Sequence, residues 1–342
     1  MNKIHVILNN KILTALVYTL LFVFPIHLFF IFVKNFLYDL GFFKPTKINA
    51  SVISVGNVSL GGTGKTPITI AVANFLQKNG LKVGIATRGH GRINESRSFL
   101  LDSQHWTECG DEVVLLKNNL GPGIPIFVSR NKVFAAQELS NLGCNVVLLD
   151  DGFQHRKIHR DIDIVLLGPQ NYVKKNQFIY PYGILREPFC NIKRADMVIS
   201  TKKNLVSDSS FFISDHALNL EVKKKLLSPV SDMSVKDLSE RLGILSICSI
   251  GDPQSFNKTI RNIGIKVDKK LIFPDHWPFS EKDIDEINRV SIKDGLESII
   301  CTEKDYVKLF EFRKLLKCDI YAVVLKYDLN QDIEADILSR LS

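Results

Sequence analysis

The sequence predicts an α/β protein: a P-loop NTPase-like domain on a parallel sheet, a smaller second α/β domain, and a hydrophobic helix at the N-terminus. Three observations carry this reading. A short β-branched run over residues 50–55 leads into Gly61-Gly62-Thr63-Gly64-Lys65-Thr66, with apolar residues at helical spacing behind it. Residues 50–200 alternate short apolar runs with helical patterns, as a sheet covered on both faces requires. Finally, residues 12–33 are apolar, with no Asp, Glu, Lys or Arg.

The bulk properties agree. A chain of 342 residues is long for one domain and points to two. A hydrophobic fraction of 45% and a charged fraction of 23% suit a buried core and exclude disorder. The net charge of +8 favours phosphate-bearing partners. No dense Lys/Arg stripe with interleaved aromatics occurs, so nucleic acid is not an expected partner. Six cysteines are scattered without a CxxC pair, which argues against a zinc site and a disulfide framework. No obligatory protein partner is evident.

Taken in order, residues 1–36 form the first unit. A helix over the 22 residues from Ile12 to Val33 could roughly cross a hydrocarbon core of about 30 Å. The run is too long for the apolar part of a signal peptide, and no small-residue cleavage site follows. Pro25 and His27 also allow a kinked helix that enters one leaflet only, so membrane association is expected and a full span is left open.

Residues 37–210 form the second unit, a nucleotide-binding domain. The run over residues 50–55 reads as a buried parallel strand. The loop from Ser59 and Leu60 through Gly61, Gly62, Thr63, Gly64, Lys65 and Thr66 would wrap phosphate oxygens with backbone N–H groups at a helix N-terminus. Lys65 would reach the β- and γ-phosphates, and the Thr66 hydroxyl would ligate Mg²⁺. Ser59 stands where the strict pattern has glycine. A second apolar strand, residues 145–149, ends in Asp150-Asp151, at the sheet edge where ligands of open α/β sheets bind. One of these carboxylates is expected to hold Mg²⁺ or its water shell. Thr302-Glu303-Lys304-Asp305 only loosely resembles a guanine-reading motif, so ATP is the expected nucleotide.

Other polar groups cluster at the same edge. Gln154, His155 and Arg156 follow the two acids, and Arg88 and Arg92 follow the strand over residues 83–86. Guanidinium binds phosphate oxygens bidentately, so these residues are candidates for a polar, anionic acceptor; a charged surface loop is the simpler alternative. Asp111 and Glu112 open a helical run, where an acid is either a cap or a functional group. Glu112 joins Thr66, Asp150 and Asp151 as a metal candidate.

Residues 211–342 form the third unit. Residues 211–222 read as a connecting strand; strands at 244–250, 298–301 and 321–325 and a helix at 280–290 make the smaller α/β domain.

Several strings together resemble the tetraacyldisaccharide 4'-kinase family of lipid A biosynthesis. They are Ser54-Val55-Gly56-Asn57, the glycine loop through Pro67, Gly110-Asp111-Glu112, Asp150-Asp151-Gly152-Phe153-Gln154-His155, Leu185-Arg186-Glu187-Pro188 and Thr302-Glu303-Lys304-Asp305. The resemblance spans most of the chain, and the Asp-Asp-Gly-Phe-Gln-His string is its most specific part. It implies transfer of the ATP γ-phosphate to the 4'-hydroxyl of an acylated glucosamine disaccharide 1-phosphate. The setting it implies is the cytoplasmic face of the bacterial inner membrane. It also implies that Asp111 is a general base and that His276, in Phe273-Pro274-Asp275-His276-Trp277, supports it. One departure stands out. The family's serine-arginine-glycine-tyrosine is Thr87-Arg88-Gly89-His90 here, which puts one acceptor contact in doubt. A membrane-tethered ATPase and a nucleotide-dependent scaffold are the rival readings.

Overall fold

The computed structural model describes residues 26, 28–102, 105–173, 177–180, 182–202, 216–217, 221–222, 238 and 243–341. It divides into two units, residues 1–46 and 47–342. In the first, residues 28–39 are helical, and Phe29, Phe30, Phe32 and Phe36 lie exposed. Most of the apolar run expected to seek a membrane falls outside the described residues. Among the described residues, no helix is long and apolar enough to cross a membrane, so the expectation of such a helix gains no support.

Among its described residues, the second unit holds two main sheets and one two-stranded ribbon. The larger has eight strands: β1 (Ser51–Asn57), β2 (Val83–Thr87), β3 (Phe99–Leu100), β4 (Ile126–Val128), β5 (Val146–Asp150), β6 (Ile162–Leu167), β7 (Met197–Ser200) and β8 (His216–Ala217). Their order is β3-β4-β2-β5-β1-β6-β7-β8, and only the β3–β4 pair is antiparallel. The central strand β1 is buried on both faces, which explains its β-branched composition. Its neighbour β5 runs in register with it, so Val55 lies opposite Asp150. The phosphate loop and the two acids therefore emerge at one sheet edge.

The flanking helices are α1 (Lys65–Lys78), α2 (Trp106–Cys109), α3 (Asp111–Asn119) and α4 (Lys132–Asn141). One main core joins Ile53 and Val55 of β1, Ile68 and Val72 of α1, and Leu148 of β5.

Of the connecting strand expected over residues 211–222, β8 joins the larger sheet and β9 (Glu221–Val222) is described; residues 211–215 and 218–220 lie outside the described residues. The smaller sheet is wholly parallel, β11-β10-β12-β13, from β10 (Ile244–Cys248), β11 (Lys269–Ile272), β12 (Ser298–Thr302) and β13 (Asp319–Val323). Helices α5 (Pro253–Asn262), α6 (Glu281–Asp294) and α7 (Glu303–Leu309) accompany it. Helix α6 starts where Ser280 and Asp283 close a capping box and stops at Gly295, whose φ of 63° is left-handed.

The chain then returns. β14 (Leu325–Lys326) pairs antiparallel with β9, and Tyr327, together with Ile333 and Ile337 of α8 (Gln331–Leu341), enters the core around α1. The larger lobe thus draws on both β8 and α8, which lie beyond residue 210. Burying each such isoleucine contributes roughly 1.5–3 kcal/mol, so α8 fastens the two lobes' chain ends together.

Candidate active site

The phosphate loop is held from below by its own sheet. Asn57 Nδ2 donates to Thr63 Oγ1 at 2.9 Å. At the end of β7, Thr201 Oγ1 donates to the Thr63 carbonyl at 2.7 Å, and Lys202 Nζ donates to the Gly62 carbonyl at 2.7 Å. Gly64 takes a left-handed φ of 86° to turn the loop into α1, and a Cβ there would lie 3.0 Å from the Tyr327 ring. Gly56 is required for a different reason: a Cβ would fall 2.6 Å from Cβ of Phe153, in the Asp-Gly-Phe turn behind the acids. Ser59 needs no such freedom. It bridges antiparallel to Leu185, extended pairing that a residue with a side chain adopts readily. Leu60 N–H donates to the Ile184 carbonyl at 2.7 Å, which ties the loop's first half to the Leu185-Arg186-Glu187 string. The first turn of α1 carries Lys65 and Thr66 and no acid, so its N-terminus keeps its partial positive charge for an anion.

The two acids after β5 differ sharply. Asp150 is buried, and its Oδ2 accepts from Thr87 Oγ1 at 3.0 Å. Burial, reinforced by the charge of Glu112, pushes its carboxyl up to about 6. Asp151 sits at φ 53°, and its Oδ2 accepts from Arg186 Nη1 at 2.6 Å. Its Oδ1 lies 3.9 Å from Lys65 Nζ. Burial opposes ionisation here too, but the charges of Lys65, Arg186 and Lys132 outweigh it and hold this carboxyl below the usual range. The buried Lys132 donates to both the Asp150 and Asp151 carbonyls, which steadies this strained turn.

A divalent cation fits this edge. Oδ1 of Asp150 and Oδ1 of Asp151 are both buried without a hydrogen-bond partner, and oxygen is the ligand that Mg²⁺ takes. Among the described residues, no group of three or more His, Cys, Asp or Glu gathers around a metal position.

The second constellation is built from both lobes. Gly110, with φ 97°, turns the chain into α3, so Asp111 stands at that helix's first residue, almost fully buried. His276 reaches it from the loop after β11: Nδ1 lies 3.1 Å from Asp111 Oδ1 and 3.2 Å from Oδ2. Burial would raise the Asp111 carboxyl, but the His276 hydrogen bond and the charges of Lys304 and Lys308 bring it below its ordinary value. The other ring nitrogen of His276, Nε2, is 2.9 Å from Lys304 Nζ. Lys304 also pairs with Glu112 at 3.2 Å. Fully buried Lys308 stands 3.7 Å from Asp111 Oδ2 and 3.2 Å from Asp305 Oδ1, and donates to Ser249 Oγ at 2.7 Å. Asp305 in turn accepts from the Ser249 N–H at 2.9 Å.

The two constellations are neighbours. Glu112 lies close enough to Asp150 to raise its carboxyl. A Cβ on Gly251, in the smaller lobe, would lie 3.6 Å from Gly61 Cα. From the larger lobe, Lys202 reaches 3.1 Å to Ser255 Oγ of α5, so one side chain ties phosphate loop and smaller lobe together.

The remaining candidates separate. Gln154 Nε2 donates to the Asn57 carbonyl at 2.7 Å and to Glu187 Oε1 at 2.9 Å, so both N–H donors of its amide serve the fold. Arg92 is likewise committed, to the carbonyls of Arg97 and Glu95 at 2.5 and 2.7 Å. Arg88 is exposed beyond β2, and His155 and Arg156 are half-buried. His90 stacks on His276 with ring centroids 4.7 Å apart, so the residue that departs from the family pattern supports the dyad's histidine. Lys132, Lys202, Lys304 and Lys308 carry no motif of their own in the sequence. The only signal for the last two was Thr302-Glu303-Lys304-Asp305 itself, a string that closes a strand and opens a helix with lysines at i and i+4.

Comparison with known proteins gives the family of the whole chain. The family model for tetraacyldisaccharide-1-P 4'-kinase, LpxK, matches residues 17–342. Two curated tetraacyldisaccharide 4'-kinases are similar. The Aquifex aeolicus protein is 34% identical over 285 residues, covering 81% of this chain and 84% of its own. The Syntrophus aciditrophicus protein is 32% identical over 309 residues, covering 82% and 81%. A crystal structure of Aquifex aeolicus LpxK in complex with ATP superposes with a TM-score of 0.74 at 30% identity, covering 95% of this chain and 99% of that one. The phosphate loop, the paired acids and the dyad across the lobes therefore sit in a chain that belongs to the tetraacyldisaccharide-1-P 4'-kinase family.

Proposed function

We propose that this chain transfers the γ-phosphate of ATP to the 4'-hydroxyl of an acylated glucosamine disaccharide 1-phosphate. One observation carries the reading: a buried carboxylate, Asp111, paired with the half-buried imidazole of His276, stands beside a phosphate-loop edge through the Glu112–Asp150 neighbourhood. A phosphate loop alone suits hydrolysis as well as transfer, whereas a proton-accepting pair beside it suits a hydroxyl acceptor.

In this reading the 4'-oxygen attacks phosphorus, the bond from phosphorus to the leaving ADP oxygen breaks, and the hydroxyl proton passes to the Asp111–His276 pair. Asp111 keeps its negative charge because the cations around it favour the carboxylate. Lys65 and the loop N–H groups take up charge that develops on the transferred phosphoryl oxygens. Thr66 and Asp150 would hold Mg²⁺, with Asp151 nearby. Bound there, the ion would supply positive charge against the phosphate oxygens. Asp151, between Lys65 and Arg186, mainly positions that lysine. Glu112 is assigned to its ion pair with Lys304 rather than to the metal. Arg88, His155 and Arg156 remain the groups offered to the acceptor's phosphate and sugar. The lobe carrying His276 also shields the site, so that water does not replace the sugar hydroxyl.

The same reading assigns residues 1–36 to membrane association, with both lobes on the cytoplasmic face of a bacterial inner membrane. The apolar run and the exposed phenylalanines over residues 29–36 support it.

The test is γ-labelled ATP with the acylated disaccharide 1-phosphate in mixed micelles, followed by thin-layer chromatography. Label should enter the lipid only when both substrates are present. Asp111→Ala should slow transfer by about 10²–10⁴-fold and leave nucleotide affinity within about twofold. Acceptor-independent release of inorganic phosphate would identify an ATPase and overturn the proposal.

A further inference from the structure

We propose that Lys304 is a positioning residue for the proton transfer: its ammonium donates to Nε2 of His276 and so fixes the ring as the Nδ1–H tautomer. The inference rests on the dyad reading above and assigns a role to a lysine outside it.

An ammonium carries three donors and no acceptor, so at 2.9 Å it meets a lone pair on Nε2. A neutral ring with its lone pair at Nε2 has its proton at Nδ1. That proton points at Asp111, whose carboxylate has only acceptors and lies 3.1 and 3.2 Å away. Both contacts are satisfied by this tautomer alone. The opposite tautomer would set N–H against ammonium on one side and lone pair against carboxylate on the other. A doubly protonated ring would satisfy Asp111 but oppose two donors at Nε2.

Lys304 is itself well anchored as a cation. Glu112 lies 3.2 Å from its Nζ and Asp275 3.9 Å. Burial would lower its ammonium, but the charges of Glu112, Asp111 and Asp275 prevail and raise it. It rides on the first turn of α7, which the Thr302 side chain caps by accepting from the Asp305 N–H at 3.1 Å. Around the ring, Asp111 faces Nδ1, Lys304 and Asp275 face Nε2, and His90 stacks on its flat side. Of these neighbours, only Lys304 discriminates between the tautomers from the Nε2 side by hydrogen bonding. The consequence for the reaction is a ring whose Nε2 lone pair is already formed. When the sugar hydroxyl replaces the ammonium as donor, it meets an acceptor and needs no prior proton rearrangement.

The test reads the tautomer directly. Full-length protein labelled with ¹⁵N-histidine in micelles, with His276 assigned by comparison with His276→Gln, should show a pyrrole-type Nδ1 and a pyridine-type Nε2 at neutral pH. A wild-type spectrum with the proton on Nε2 overturns the proposal, whatever any variant does. Lys304→Met should shift the two nitrogens toward averaged values and lower kcat by about 10–100-fold, with KM for ATP within about twofold. Lys304→Arg, which keeps a donor there, should recover most of both. In a His276→Ala background, Lys304→Met should change kcat less than about twofold, because the lysine acts through that ring. Full additivity of the two losses, or unmoved nitrogen shifts in Lys304→Met, would overturn it. Absence of any transfer by the wild type would sink the kinase reading while leaving the tautomer measurement intact.

Discussion

The donor edge and the dyad are both clusters of carboxylates and cations, yet they are assembled in different ways. The donor edge is largely backbone. Gly62 and Thr63 are held by their carbonyls, Asp150 and Asp151 by Lys132 on theirs, and the binding groups are N–H donors at the start of α1. The dyad is side chain throughout, and its members come from two lobes. Asp111 and His276 are 165 residues apart, and Glu112 and Lys304 are 192 apart. A backbone site can form within one lobe. A side-chain site of this kind needs both lobes in contact, so on the proposed reading transfer would require them docked.

The largest expected effect separates the two clusters by function. Asp150→Asn should cut transfer by about 10²–10³-fold and raise the Mg²⁺ concentration needed for half-maximal rate. Asp111→Ala should leave that Mg²⁺ requirement in place. Magnesium titrations of both variants test this; equal shifts in the two would merge the clusters into one.

A second effect separates them by stability. Lys308 is fully buried between Asp111 and Asp305, so Lys308→Met leaves the buried Asp305 carboxylate without its cation and removes one of the cations beside Asp111, and should cost about 3–5 kcal/mol. Arg186 pairs with Asp151 at a partly exposed position, and Arg186→Met should cost about 1 kcal/mol or less. Urea unfolding at neutral pH measures both, and comparable losses would erase the contrast.

The smallest effect is a pH dependence. The Asp111 carboxyl is lowered in the fold, so its stabilising charge is fully present above the ordinary carboxylate value and is lost as pH falls through the folded one. The stability gap between wild type and Asp111→Asn should therefore be flat from about pH 5 to 8 and close below about pH 4. A gap that closes near neutrality would mean that another group carries it.

Legibility in the sequence follows the same division. The strand–loop–helix unit, the acids after β5 and the parallel order of short apolar strands all show as local patterns, because backbone geometry constrains neighbouring residues. Ser59 looked like a defect in the loop pattern and is a bridge residue, which only its pairing with Leu185 reveals. Gln154 looked like a ligand group and is a strut between the Asn57 carbonyl and Glu187. Nothing local marks a polar side chain as facing inward or outward. Nor does any local pattern mark the return of α8 into the first core, because its apolar spacing suits any partner surface.

The sequence by itself determined the α/β class, the phosphate loop and the paired acids after β5, since each is a short-range consequence of glycine conformation, strand burial and helix polarity. It also supplied the family resemblance, through which Asp111 and His276 could be paired on paper. Only the tertiary structure decided what surrounds that pair. Lys304 on Nε2, Lys308 and Asp305 behind the carboxylate and His90 against the ring are contacts between residues far apart in the chain. Their energies depend on burial and distance, which a linear sequence does not contain.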